Sequence, residues 1–162
     1  YTSEQYVQLI DYAKLLMPDI TLTSDVIVGF PGETAEEFMD TVKLLKRVEF
    51  DNLFTFIYSR RNGTPAAEMD GQIDESVSKE RIMKLIDFQN EFNRSESEKY
   101  LGRTITILCE GYDDKRKKYL GRDTYGRMAY FDSENDLIGK FVTVKITKTG
   151  GISLLGDLVT IL

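Results

Sequence analysis

The sequence contains no histidine, which removes the commonest general base and the commonest nitrogen ligand for metals. It contains one cysteine, Cys109, which can form neither an intrachain disulfide nor, by itself, a thiolate-held cluster. A reactive centre is therefore expected outside this chain. Long apolar runs are missing too: none approaches the roughly 20 residues that cross a bilayer, and no signal peptide opens the chain. The expectation is a cytoplasmic protein with no membrane partner. What is present, 41% hydrophobic and 30% charged residues over 162 positions, suits one ordinary globular domain or two small ones.

The formal net charge of −6 conceals a division. Residues 1–98 hold 10 Lys+Arg against 19 Asp+Glu, whereas residues 99–162 hold 11 against 8. Such asymmetry reads as two modules, the second facing a polyanion. The plain alternative is a mildly basic, solvated surface.

The first module is organised around Thr23 to Thr34. Val26, Ile27 and Val28 are apolar without alternation, which predicts a strand covered on both faces, as in a parallel sheet flanked by helices. Phe30-Pro31-Gly32-Glu33 is a turn, proline presetting its second position and glycine supplying the positive φ of its third. Thr34-Ala35-Glu36-Glu37 is a capping box that starts a helix. A helix after Thr2, stopped by Pro18, precedes this unit. A strand over Asn52–Tyr58, a loop from Ser59 to Ala66 and a long helix over about Ser76–Tyr100 follow it. Helix, strand, helix, strand, helix is the order of a parallel α/β layer. Two strands do not close such a layer, so residues 1–98 read as the tail of a larger barrel or open sheet with a bare strand edge, open to pairing with another chain or a second copy.

After Gly102 the period becomes two. Ile105, Ile107 and Cys109 alternate with threonines and Leu108, and Val142, Val144 and Ile146 alternate with Thr143 and Lys145. With Lys118–Asp123, Arg127–Phe131 and Ser153–Leu162 this gives five short strands, the pattern of a small antiparallel barrel of the oligonucleotide-binding kind over residues 99–162.

Three segments in this order, Asp25-Val26-Ile27-Val28-Gly29-Phe30-Pro31-Gly32-Glu33-Thr34, Tyr58-Ser59-Arg60-Arg61-Asn62-Gly63-Thr64-Pro65-Ala66-Ala67, and Gly121-Arg122 within the basic barrel, resemble the carboxyl-terminal half of the radical S-adenosylmethionine methylthiotransferases. The resemblance covers essentially the whole chain. Lys99-Tyr100-Leu101-Gly102-Arg103 and Leu108-Cys109-Glu110-Gly111 are most similar to the tRNA isopentenyladenosine type (MiaB type). The resemblance implies an α/β plus β fold: the end of a (βα) radical S-adenosylmethionine barrel in residues 1–98 and a TRAM β-barrel in residues 99–162. It implies methylthiolation at carbon 2 of an N6-modified adenosine beside the anticodon, with S-adenosylmethionine and two 4Fe-4S clusters as the parent's cofactors. Its partners are then the tRNA anticodon stem-loop and the amino-terminal part of the same protein. Isopentenyl and threonylcarbamoyl substrates stay open, as do the sibling acting on a ribosomal protein and a self-sufficient RNA-binding module on an α/β platform. The family's cysteine trios are absent, so no catalytic or metal-ligating residue is expected here, and no bound cofactor.

What the resemblance leaves to this chain is scaffolding. Gly29, Phe30, Pro31, Gly32 and Glu33 are expected to form one wall of the S-adenosylmethionine site, and Arg61, matching the arginine of the family's Tyr-Ser-x-Arg pattern, to meet a cofactor carboxylate or an RNA phosphate. Arg60 reads as solvated, or paired with an acid such as Glu33 or Glu68. Lys115, Arg116, Lys117, Lys118, Arg122 and Arg127, interleaved with Tyr119, Tyr125 and Tyr130, have the ingredients of an RNA surface: cations for phosphates and aromatics for unpaired bases. Cys109, on an alternating strand, reads as a buried inert residue.

Overall fold

A computed structural model describes residues 1–162, which divide between Gln89 and Asn90 into two compact units. In the first, α1 (Ser3–Leu16) begins at a capping box in which the Thr2 hydroxyl accepts from the Gln5 N–H and the Gln5 side chain accepts from the Thr2 N–H. It ends before Pro18, with Met17 as its cap. β1 (Thr23–Val28) leads to α2 (Ala35–Val48), opened by the reciprocal Thr34–Glu37 box and closed by Glu49 in the left-handed region at φ 57°. β2 (Asn52–Ile57) lies parallel to β1, with Val26 opposite Thr55 and Val28 opposite Ile57. A single turn, α3 (Pro65–Glu68), interrupts the loop expected there, with proline in its first turn, where the lost N–H has no partner to miss. α4 (Glu75–Glu98) then runs for 24 residues, and the division between the units falls inside it.

The core of this unit joins Val28 and Leu53 of the strands to Phe38, Leu45 and Val48 of α2 and Leu85 of α4. Each such side chain, fully withdrawn from water, stabilises the unit by roughly 1.5–3 kcal/mol. The expectation that β1 is covered on both faces is corrected here. Ile27 is 56% exposed, and Phe54 and Phe56 are 51% exposed. The helices cover only the face carrying Val26, Val28, Leu53 and Ile57, so the same apolar run serves one covered and one bare face.

In the second unit, β3 (Thr104–Asp113), β4 (Lys118–Arg122), β5 (Met128–Phe131), β6 (Phe141–Thr149) and β7 (Ser153–Ile161) close into a barrel in the order β3-β4-β5-β7-β6. The barrel is not wholly antiparallel as expected: β5 and β7 pair in parallel, because the chain crosses from β5 to β6 on the far side of β7 before returning. Ile107, Cys109, Phe131, Leu137, Val142, Val144 and Ile146 fill it. β3 slips register between Cys109 and Gly111, opposite Gly121. A Cβ on Gly121 would overlap the Leu108 carbonyl oxygen and stand 2.8 Å from its carbon and 3.0 Å from Cys109 Cα. Only glycine lets the two backbones approach this closely.

Candidate functional site

At the carboxyl end of β1, Gly29 has φ 74°, and a Cβ there would collide with the Ser78 side chain on α4. Its N–H donates to Glu33 Oε2 at 2.7 Å, and Gly32 N–H donates to the Gly71 carbonyl at 2.9 Å. Glu33 is committed further. Arg81 Nη1 lies 2.5 Å from its Oε2 and donates at 3.0 Å to its carbonyl, with both side chains almost withdrawn from solvent at 9% and 13% exposed. The guanidinium also lies 5.5 Å over the Phe38 ring. The partner of Glu33 is therefore Arg81, not the Arg60 considered from sequence. The burial of Arg81, though not its partner, has a sequence signal: it falls three residues after Ser78 and four before Leu85, on the buried stripe of α4.

What remains open at this strand end is Phe30, half exposed and edge-to-face with Tyr58 at 5.3 Å. The Tyr58 hydroxyl is buried and has no hydrogen-bond partner. Pro31 is buried, and Arg60 and Arg61 are exposed. The Arg61 carbonyl accepts from the Thr64 N–H and hydroxyl, which fixes the loop backbone and leaves the guanidinium free of it.

On the barrel, Asp113 Oδ1 accepts the N–H groups of Lys115 and Arg116 at 2.9 and 3.0 Å and shapes the β3–β4 turn. The Arg116 N–H above all holds the Asp113 carboxyl below the usual carboxylate range; burial opposes it, and the Arg116 guanidinium and the Lys115 N–H add smaller lowering effects. Arg116 donates to Asp113 Oδ2 and to the Tyr130 hydroxyl at 2.9 Å, its guanidinium 4.7 Å over that ring. Lys117 stands 3.9 Å from Asp114, Lys118 pairs with Asp132, and Arg122 pairs with Glu110 at 2.7 Å. Arg127 lies 4.7 Å over the Tyr100 ring. Lys115 alone of the six cations extends into solvent with neither an acidic nor an aromatic partner. Tyr119 and Phe131 stack towards the core at 5.9 Å, so Lys118, Leu120 and Arg122 face outward. Tyr130 shares that outer wall, opposite Leu120 and Leu155. The fold brings Lys148 of β6 to this wall through its pairing with Leu155, a residue the sequence pattern did not single out. Cys109 is fully buried, and burial pushes its thiol above the ordinary range.

The TRAM domain model matches residues 98–159, so the barrel of the second unit is a TRAM domain. Across both units the chain is 45% identical over 160 residues to the tRNA-2-methylthio-N(6)-dimethylallyladenosine synthase of Fusobacterium nucleatum, covering 98% of this chain and 37% of that protein. It is 43% identical to the synthase of the same name from Acetivibrio thermocellus, over 98% of this chain and 33% of the relative. With that of Thermoanaerobacter sp. it shares 41% identity, over 100% and 35%. Over both units the chain is similar to these synthases, and it spans about a third of their length.

Proposed function

We propose that this chain supplies the RNA-gripping barrel and one wall of the cofactor site of an enzyme that adds a methylthio group to carbon 2 of an N6-modified adenosine beside the anticodon of tRNA. The observation that carries this reading is the unbroken similarity to the synthases across both units, at 40–45% identity. On this reading residues 1–98 belong to a (βα) radical S-adenosylmethionine barrel and residues 99–162 are its TRAM domain. The bare face of Ile27, Phe54 and Phe56 supports the first assignment, since a sheet face of that kind needs cover that the remaining polypeptide would supply. Without it, a second copy of the chain is the available partner. No helix is long and apolar enough to cross a membrane, and a tRNA substrate agrees with a cytoplasmic setting.

The residues do not fit an iron–sulfur cluster: the one thiol is buried within the barrel, and no three metal-ligating side chains converge. They fit S-adenosylmethionine only as a wall. Bound there, that cofactor supplies the transferred methyl group. The Phe30 ring offers an apolar face, the unpaired Tyr58 hydroxyl a buried polar contact, and the Arg61 guanidinium a partner for a carboxylate. Gly29, Gly32 and Glu33 serve by holding the turn, because their polar groups are already engaged.

The test is binding of a fluorescent anticodon stem-loop to the chain across a salt series. Affinity should fall as salt rises, with a slope that scales with the phosphates neutralised. Lys115→Glu with Lys117→Glu should weaken binding and flatten the slope. An unchanged slope would remove the β3–β4 turn from the interface, and no binding by the unaltered chain would refute the RNA reading.

A further inference from the structure

A cavity of about 310 Å³ opens on the outer wall of the barrel, between the β3–β4 turn and the β6–β7 turn. Arg116 and Lys118 line one side, Lys148 and Ser153 the other, and Tyr130 and Leu155 lie between them. Resting on the RNA reading above, the geometry points to a pocket for one unpaired nucleotide, its base laid on the Arg116–Tyr130 stack and its phosphate on Lys148.

The stack is already assembled. Tyr130 is 8% exposed, so its ring serves as a floor, and the Arg116 guanidinium covers it at 4.7 Å. Hydrogen bonds from Nη1 to Asp113 and to the Tyr130 hydroxyl anchor the guanidinium over the ring, while the Arg116 side chain remains 59% exposed. An anchored, planar, weakly hydrated cation held over an aromatic ring and still open to solvent is a platform for a nucleobase. The base must be unpaired, because in a duplex its faces are occupied by its neighbours.

Charge places the phosphate. Lys118 is neutralised by Asp132 and Arg116 by Asp113, so the acids sit on the β3–β4 side of the cavity. Lys148, on the opposite side, has no acidic partner. An anion entering the cavity is therefore drawn to the β6–β7 side, leaving the base over Arg116. The volume lies at the lower end for small-molecule sites, which suits one nucleotide and excludes a stacked pair.

The whole chain, with a fluorescent single-stranded oligoribonucleotide and the anticodon stem-loop as probes and a blunt RNA duplex as control, tests this assignment. Lys148→Ala should weaken binding of both unpaired probes about tenfold and lower the salt slope by about one. Arg116→Lys keeps the charge and removes the planar platform, so affinity should fall about tenfold at an unchanged slope. Duplex binding should respond to neither variant. Both side chains are exposed, and an unaltered circular dichroism spectrum will separate lost binding from lost folding. If both variants bind the unpaired probes like the unaltered chain while reversal at Lys115 and Lys117 weakens them, the pocket is refuted and the RNA reading stands. If the unaltered chain binds no RNA, both fall.

Discussion

Replacing Glu33 by Gln should destabilise the first unit by about 3 kcal/mol. The carboxylate is 2.5 Å from Arg81 Nη1 with both groups nearly dry, and removal of one member of a buried pair typically costs about 3–5 kcal/mol because the other charge is left without compensation. The lower end applies here, since Arg81 keeps its bond to the Glu33 carbonyl and its place over Phe38. Arg81→Met should cost a similar amount, leaving a buried carboxylate held only by the Gly29 N–H. The double variant removes both charges and fills the space with an apolar chain, so it should lose only about 1 kcal/mol. Urea unfolding followed at 222 nm reads mainly this unit, because α1, α2, α3 and the larger part of α4 lie in it. With a slope of about 1–3 kcal/mol per molar, the single variants should lower the midpoint by about 1 M or more. A double variant as unstable as the two singles added together would refute the pairing argument.

Gly121→Ala should destabilise the barrel by about 3 kcal/mol, the upper end for overpacking, since the obstacle is the backbone of Leu108 and Cys109. Loss of the near-ultraviolet tyrosine signal at lower urea, with the 222 nm transition little changed, would register it; an unshifted tyrosine transition would contradict the close-approach reading. Cys109 has a folded pKa above its unfolded value, so its contribution is fully present below about pH 8.5 and is lost as pH rises beyond that. Cys109→Ser should flatten the alkaline limb of stability against pH, and the native thiol should label with a disulfide reagent only on unfolding. Calorimetry with S-adenosylmethionine should detect no micromolar binding to this chain, because Phe30, Tyr58 and Arg61 form one wall only; a measurable isotherm would show a more complete site.

Local order was legible wherever neighbours in sequence decide it. Thr2 with Gln5 and Thr34 with Glu37 each carry their own partner three residues on, and both boxes form. The period-two stretches at Ile105–Cys109 and Val142–Ile146 bury one face, as alternation requires. What depends on distant residues was not legible. Glu33 and Arg81 are 48 positions apart, and nothing in either neighbourhood announces the other. The bare face of Ile27, Phe54 and Phe56 is invisible to a hydrophobicity pattern, which registers apolar residues and not what meets them. The β5–β7 pairing in parallel follows from barrel closure and leaves no local trace. The basic cluster was found by composition, but its pairing with Asp132, Glu110 and Asp113, and the arrival of Lys148 beside it, depend on the register of the strands.

That prior pairing sets how firmly the barrel can hold a polyanion. An incoming phosphate at Lys118 or Arg122 must displace a carboxylate already there, so each contact is an exchange of one anion for another and yields only the difference between them. Such a surface discriminates by geometry more than by total charge, and it lets go readily once a bent or splayed strand relaxes. On the proposed reading of a tRNA-modifying parent, a hold that weak favours turnover over residence.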